Sequence, residues 1–205
     1  MRKLMTKKLA IAVATLLVAA HDASAAPGDC MNVDPPGWKT TPGQQALYDR
    51  LVQYMSCPSD DVASGLLADK VACNYFVGKA LSDVYGITDF STGSGTWLLA
   101  NQILKYVQTH PATWSKLGNA NSQAVLDDAA QGATNGQAVI AVAAGTPGHV
   151  ALILPGTPKA SGGWGLRAPN SAAFSLGHVE NAYVFCRLSF AFSDPAKVEI
   201  YWRVK

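Results

Sequence analysis

The chain is short of charge. Asp, Glu, Lys and Arg make up 15% of its 205 residues, and after the first eight positions they form no basic cluster. Aromatic residues do not interleave with what basic residues there are, so the electrostatic footprint of a nucleic-acid binder is missing. No C-x-x-C or H-x-x-x-H pair occurs and there are four histidines, which leaves a zinc site little to be built from; Cys73, His149 and Cys186 are the one set that could share a metal. The adjacent carboxylates Asp60-Asp61 and Asp127-Asp128 point apart on a helix and do not make a glycosidase pair. Nothing repeats at a fixed period, which argues against a solenoid. The longest apolar run, Leu9 to Ala20, is shorter than the roughly 20 residues a spanning helix needs, so an integral membrane protein is not expected.

What the sequence does have begins at its start. Arg2, Lys3, Lys7 and Lys8 precede that apolar run, and Ala23-Ser24-Ala25 follows it at A-x-A spacing. This is the pattern of a secretory signal peptide of the bacterial Sec type over residues 1–25. The expectation is a secreted or periplasmic protein whose residues 26–205 form a single domain. Four cations and one anion fall in the leader, leaving 12 Lys plus Arg against 13 Asp plus Glu. The mature part is therefore near neutrality. Gly28 and Asp29 before Cys30 do not suit acylation of that cysteine.

Helices precede strands. Pro35, Pro36, Gly37, Pro42 and Gly43 mark an irregular lead-in. Leu47, Leu51, Val52 and Met55 predict a helix over 44–55. A second is predicted over 73–85, burying Phe76, Val77, Ala80, Leu81 and Val84 and stopping at Gly86. A third spans 97–107 and a short fourth 122–130. Beyond Gly136 the pattern changes to short apolar runs at 137–145 and 149–156 about Thr146-Pro147-Gly148, a strand hairpin buried on both faces of at least one strand. Later runs alternate, placing Val184, Cys186, Leu188 and Phe190 on one face, and Val198, Ile200, Trp202 and Val204 inward. Helices followed by an antiparallel sheet make an α+β fold.

Cys73 heads its helix, where free N–H groups and the macrodipole favour a negative charge and predict a lowered thiol pKa. A thiolate is the nucleophilic form of cysteine, and the same N–H groups could hold an oxyanion. His149 stands at the start of an apolar strand, rigidly held yet reachable, as a general base should be.

The order Cys73-Asn74-Tyr75-Phe76-Val77 on a helix, then Gly148-His149-Val150 opening a strand, resembles the papain-like NlpC-type superfamily of cell-wall cysteine amidases, including CHAP amidases and the Tae-like amidase effectors of type VI secretion. The resemblance covers about residues 71–192. It implies a papain-like NlpC-type fold, N-terminal helices packed on an antiparallel β-sheet, and hydrolysis of peptide bonds in peptidoglycan without metal or organic cofactor. Cys73 would be the nucleophile and His149 the acid/base. The implied partners are the peptidoglycan peptide and a proteinaceous inhibitor. A third residue, orienting the histidine from the next strand, falls in 164–174 by this resemblance. Asn170 is the first choice, since its amide oxygen can accept the imidazole N–H, with Ser171 and Glu180 behind it. Asn74 replaces the commoner Ser, and Pro169 disturbs the strand that would carry Asn170.

Each residue has a plainer reading. Four cysteines in an exported chain allow three connectivities if all pair, and Cys30 with Cys57 is the natural bridge, while Cys186 behaves as a small hydrophobe. His149 could cap a turn, and Asn170 could serve the turn Pro169-Asn170-Ser171. Trp97, Trp114 and Trp164 could line a cleft or fill a core. Two other functions fit the same residues: a protease or acyltransferase with another substrate, and a binding module in which Cys73 only packs or pairs.

Overall fold

The computed structural model describes residues 31–33, 40–55, 73–93, 95–175 and 178–204. After a short strand β1 (Met31–Val33), helix α1 (Pro42–Val52) starts two residues earlier than its apolar spacing predicts. A capping box explains the start: Thr41 Oγ1 accepts the Gln44 N–H at 3.2 Å, and Gln44 Oε1 accepts the Thr41 N–H at 3.1 Å. Helix α2 (Cys73–Tyr85) ends where Gly86 adopts φ +67°, with its N–H bonded to Ser82 O. Glycine meets that left-handed position without a Cβ penalty.

Trp97 does not begin the next helix. It pairs with Thr96 as β3 (Thr96–Trp97) against β2 (Ser91–Gly93), and α3 (Ala100–Thr109) follows. A strand absent from the sequence reading, β4 (Trp114–Asn119), comes before α4 (Gln123–Thr134), which runs four residues past its expected end. Strands β5 (Val139–Ala143) and β6 (His149–Ile153) form the expected antiparallel hairpin, with Ala143 opposite His149. Then come β7 (Lys159–Ser161), β8 (Leu166–Ala168), β9 (Asn170–Ser175), β10 (His178–Arg187) and β11 (Val198–Arg203).

Seven strands make the main sheet in the order β1-β10-β9-β6-β5-β11-β4, antiparallel throughout except for the parallel pair β1–β10. Both faces are covered. Along β5 and β6, Ile140, Val142, Val150, Leu152 and Leu154 join Leu51, Phe76, Val77, Leu81 and Ile103 from α1, α2 and α3. The alternate residues Val139, Ala141, Ala151 and Ile153 meet Leu126, Ala129 and Ala133 of α4 on the other face. A strand pair buried on both sides reads as a continuous apolar run, as these two do. The α+β class therefore holds, with helices on both faces rather than one.

Strand β10 corrects one expectation. Phe185 takes φ +60° and the register slips between Val184 and Cys186, as at a bulge. Val184 and Phe185 thus both enter the α2 face while Cys186 enters the α4 face, and Val184 and Cys186 do not share a side.

Candidate active site

Cys73 is the first residue of α2, is 4% exposed and carries a free thiol. Helix α2 lies along β6, and the backbone N–H groups of Val150, Asn74 and Cys73 itself lie near enough to the sulfur to favour its charged form. The Val150 donor has a structural origin. Leu154 N–H donates to Asn170 O, and since amides of one strand point alternately left and right, the N–H groups of Leu152 and Val150 also face β9. The β6–β9 partners, however, are Leu152↔Ala172 and Ile153↔Ser171; the ladder stops short of Val150. The Val150 N–H is thus left without a β9 carbonyl, near the thiol.

Val150 is bonded to His149, so the thiol and the imidazole share one stretch of backbone. Alternation sends the His149 side chain to the α4 face of β6, where its ring packs against Phe192 with centroids 5.1 Å apart. Its Nε2 is buried and bonded to no group of the chain. Burial lowers the imidazole to about 4 and pushes the Cys73 thiol up, the three N–H donors opposing it only in part. The sequence predicts a lowered thiol, because a helix N-terminus favours the thiolate; desolvation at a buried position outweighs it. At neutral pH the thiol and the imidazole are both uncharged, the thiol packed on the α2 face and the ring on the α4 face, with no hydrogen bond between them.

The loop that delivers His149 is clamped from α3. Asn101 Nδ2 donates to Gly145 O at 2.9 Å, and Gly145 N–H donates to Asn101 Oδ1 at 3.3 Å. A Cβ on Gly148 would stand 2.4 Å from Asn101 Oδ1, which is why glycine precedes this histidine. On the other side of Cys73, Asn74 Nδ2 donates to Trp97 O at 3.4 Å, and the Trp97 indole lies so close over Gly78 that a Cβ there would be 2.2 Å from the ring. Trp164 supports the far side, its Nε1 donating to Phe192 O at 2.9 Å. Trp114, by contrast, is core, fully buried with its Nε1 on Asp89 Oδ2 at 3.0 Å. Asn101 and Phe192 were not foreseen; the sequence signals were Gly148 and Gly78, small residues where something packs closely.

Asn170 is not brought to His149. The β6–β9 register sets it beside Leu154, five residues along β6 and therefore about 16 Å away at ~3.3 Å per residue. It is 1% exposed; its Nδ2 donates to Pro155 O at 3.0 Å and its Oδ1 has no partner. Pro169 does not prevent the strand, since its carbonyl instead receives Leu188 N–H. Ser171 is also engaged elsewhere, bonding Tyr183 Oη at 2.9 Å and Cys186 O at 3.1 Å. Glu180 belongs to β10, which β9 separates from β6. Cys186 is buried with a free thiol. Cys30 and Cys57, and the leader over 1–25, lie outside the described residues.

Among the described residues no three His, Cys, Asp or Glu side chains are placed to hold a metal ion, and no helix is long and apolar enough to cross a membrane. No protein-family model matches the chain, and no curated protein matches it.

Proposed function

We propose that the protein is an exported cysteine amidase that cleaves peptide bonds in peptidoglycan, with Cys73 as nucleophile and His149 as acid/base. The observation that carries this reading is the meeting of a helix-head thiol with the backbone N–H next to a strand-head histidine whose Nε2 is buried without a partner. A structural histidine normally satisfies its buried ring nitrogens; an unsatisfied one a single residue along the strand from the Val150 N–H suits a proton carrier. Because both groups are neutral at rest, the proton leaves sulfur as sulfur attacks the substrate carbonyl, and His149 receives it once its ring has turned from Phe192 toward the thiol. The tetrahedral oxyanion would be met by the N–H groups that converge on the sulfur. His149 then protonates the leaving amine and activates water to release the acyl group. No cofactor enters these steps.

One observation favours a second reading. A thiol only 4% exposed and held protonated also suits a binding module that retains the fold without the reaction. Digestion of purified sacculi, followed by mass analysis of the muropeptides, separates the two. New free amines at one defined bond, lost with Cys73→Ala, are expected; profiles identical for both proteins would overturn the amidase.

A further inference from the structure

The far end of β6 from Cys73 opens on a cleft of about 620 Å³. A second hollow of about 330 Å³ shares Thr134, Gly156 and Thr157 with it, so the two form one groove across the ends of α1, α2 and α4. Each volume lies within the range of ligand sites, roughly 300 to 1,000 Å³. The walls are built rather than accidental. Gln44 Nε2 and Asn170 Nδ2 both donate to Pro155 O, at 3.1 and 3.0 Å, and Gly156 N–H donates to Thr134 Oγ1 at 3.2 Å. Gly156 stands at φ +121°, and a Cβ there would be 2.5 Å from both amide nitrogens. Only glycine leaves this wall intact.

The lining fixes the chemistry of an occupant. None of the described residues around the larger cleft is charged, and Asp127 at the end of the smaller one is already paired with Arg167 at 3.1 Å. That arrangement offers nothing to a phosphate, a nucleotide or a charged peptide. It offers hydroxyls at Thr40 and Thr157, exposed at the rim, and an apolar floor of Leu47, Val84 and the half-buried Tyr85. Behind Gly156, the fully buried Asn170 Oδ1 has no donor from the chain. Hydroxyls over an aromatic and aliphatic floor match a molecule that is uncharged, rich in hydroxyl groups and apolar on one face.

We propose that this groove binds a neutral saccharide chain. That the chain is the glycan of the polymer whose peptide reaches Cys73 rests on the amidase reading; that the groove takes an uncharged saccharide does not. The two ends of β6 would then grip sugar and peptide separately.

The test uses the full chain carrying Cys73→Ala and the hexamer of β-1,4-linked N-acetylglucosamine as probe, with the amide spectrum followed by NMR. Saturable shifts at Thr134, Gly136, Gly156 and Thr157 are expected, with a dissociation constant on the order of 1 mM or below. Thr157→Trp, which fills the rim with a bulky ring, should weaken binding by roughly tenfold or more. Because the mapping needs no groove variant, it stands even if Thr157→Trp fails to fold. Absence of shifts at about 10 mM hexamer, or shifts confined to another surface, would overturn the proposal. Sacculus digestion by the Cys73 protein that survives Thr157→Trp without saccharide binding, or binding without digestion, tells failure of one site from failure of the other.

Discussion

The backbone N–H of Val150, the residue that follows His149, lies near the sulfur of Cys73 and favours its charged form. Sulfur is a weak acceptor, and this contact does not offset the cost of burying a thiolate. The folded protein should therefore hold Cys73 as thiol at neutral pH, and each unit of raised pKa cuts the thiolate about tenfold. Iodoacetamide at pH 7 should modify Cys73 roughly tenfold or more slowly than free cysteine, with the rate still climbing past pH 9. Peptide-resolved mass spectrometry gives the rate for Cys73 apart from the equally buried Cys186. A rate equal to that of free cysteine would contradict the buried, protonated thiol.

His149 makes stability depend on pH in one direction. Unfolded, its imidazole takes up a proton below about 6.5; folded, it resists until about 4. Between those values the unfolded chain binds more protons, so stability falls as pH falls, by ~3 kcal/mol at the lower end. Above about 6.5 both states are neutral here and the contribution is fully present. Urea unfolding at pH 7 and pH 4.5 should show this loss, and His149→Gln should reduce it. A variant with the same acid dependence as the native protein would assign the effect elsewhere.

Gly78 sits in mid-helix, where alanine is ordinarily better by about 1 kcal/mol. Here the added methyl would lie 2.2 Å from the Trp97 ring. Gly78→Ala should therefore destabilise, by ~1–3 kcal/mol as overpacked sites do. It should also move Trp97 off Asn74 and so disturb the approach to Cys73. Thermal unfolding reads the first effect. A melting temperature at or above the native value would show that the indole has room to shift.

Asn101 and Asn170 offer a contrast at the two ends of β6. Asn101→Ala frees the loop before His149 and should lower wall-peptide hydrolysis by roughly tenfold or more, as small displacements near a reacting group do. Asn170→Ala should leave hydrolysis of a glycan-free wall peptide within about twofold, since the residue lies about 16 Å from His149, yet cost ~1–3 kcal/mol of stability by leaving Pro155 O with one donor fewer. Activity and denaturation measured on both variants check the pair. An Asn170 variant that folds normally but does not turn over would restore it to the site.

The parts of the fold set by local chemistry were legible in the sequence. Helix α2 was placed to the residue because its apolar stripe is long and Gly86 ends it, and the β5–β6 hairpin because two apolar runs flank a Pro-Gly turn. Strand β4 was missed because Trp114 to Asn119 neither alternates cleanly nor carries β-branched residues; pairing with β11 makes it a strand. Asn170 was misplaced for a similar reason. Its candidacy depended on strand register, which Leu152↔Ala172 fixes through tertiary pairing, and counting along the chain cannot supply that. The lowered thiol pKa expected for Cys73 followed from the helix head alone, whereas burial beneath packed neighbours decides the sign.

The Asn101 clamp has a consequence for how this protein could change. A side-chain amide that both donates to and accepts from Gly145 acts as a single residue of borrowed strand, lent by a helix to the open end of a hairpin. The point where β6 begins is then fixed by α3 and not by the length of the turn. Residues could be gained or lost between Gly145 and Gly148 while His149 keeps its place. Diversity at that tip, beside the proposed site, would come without re-registering the sheet.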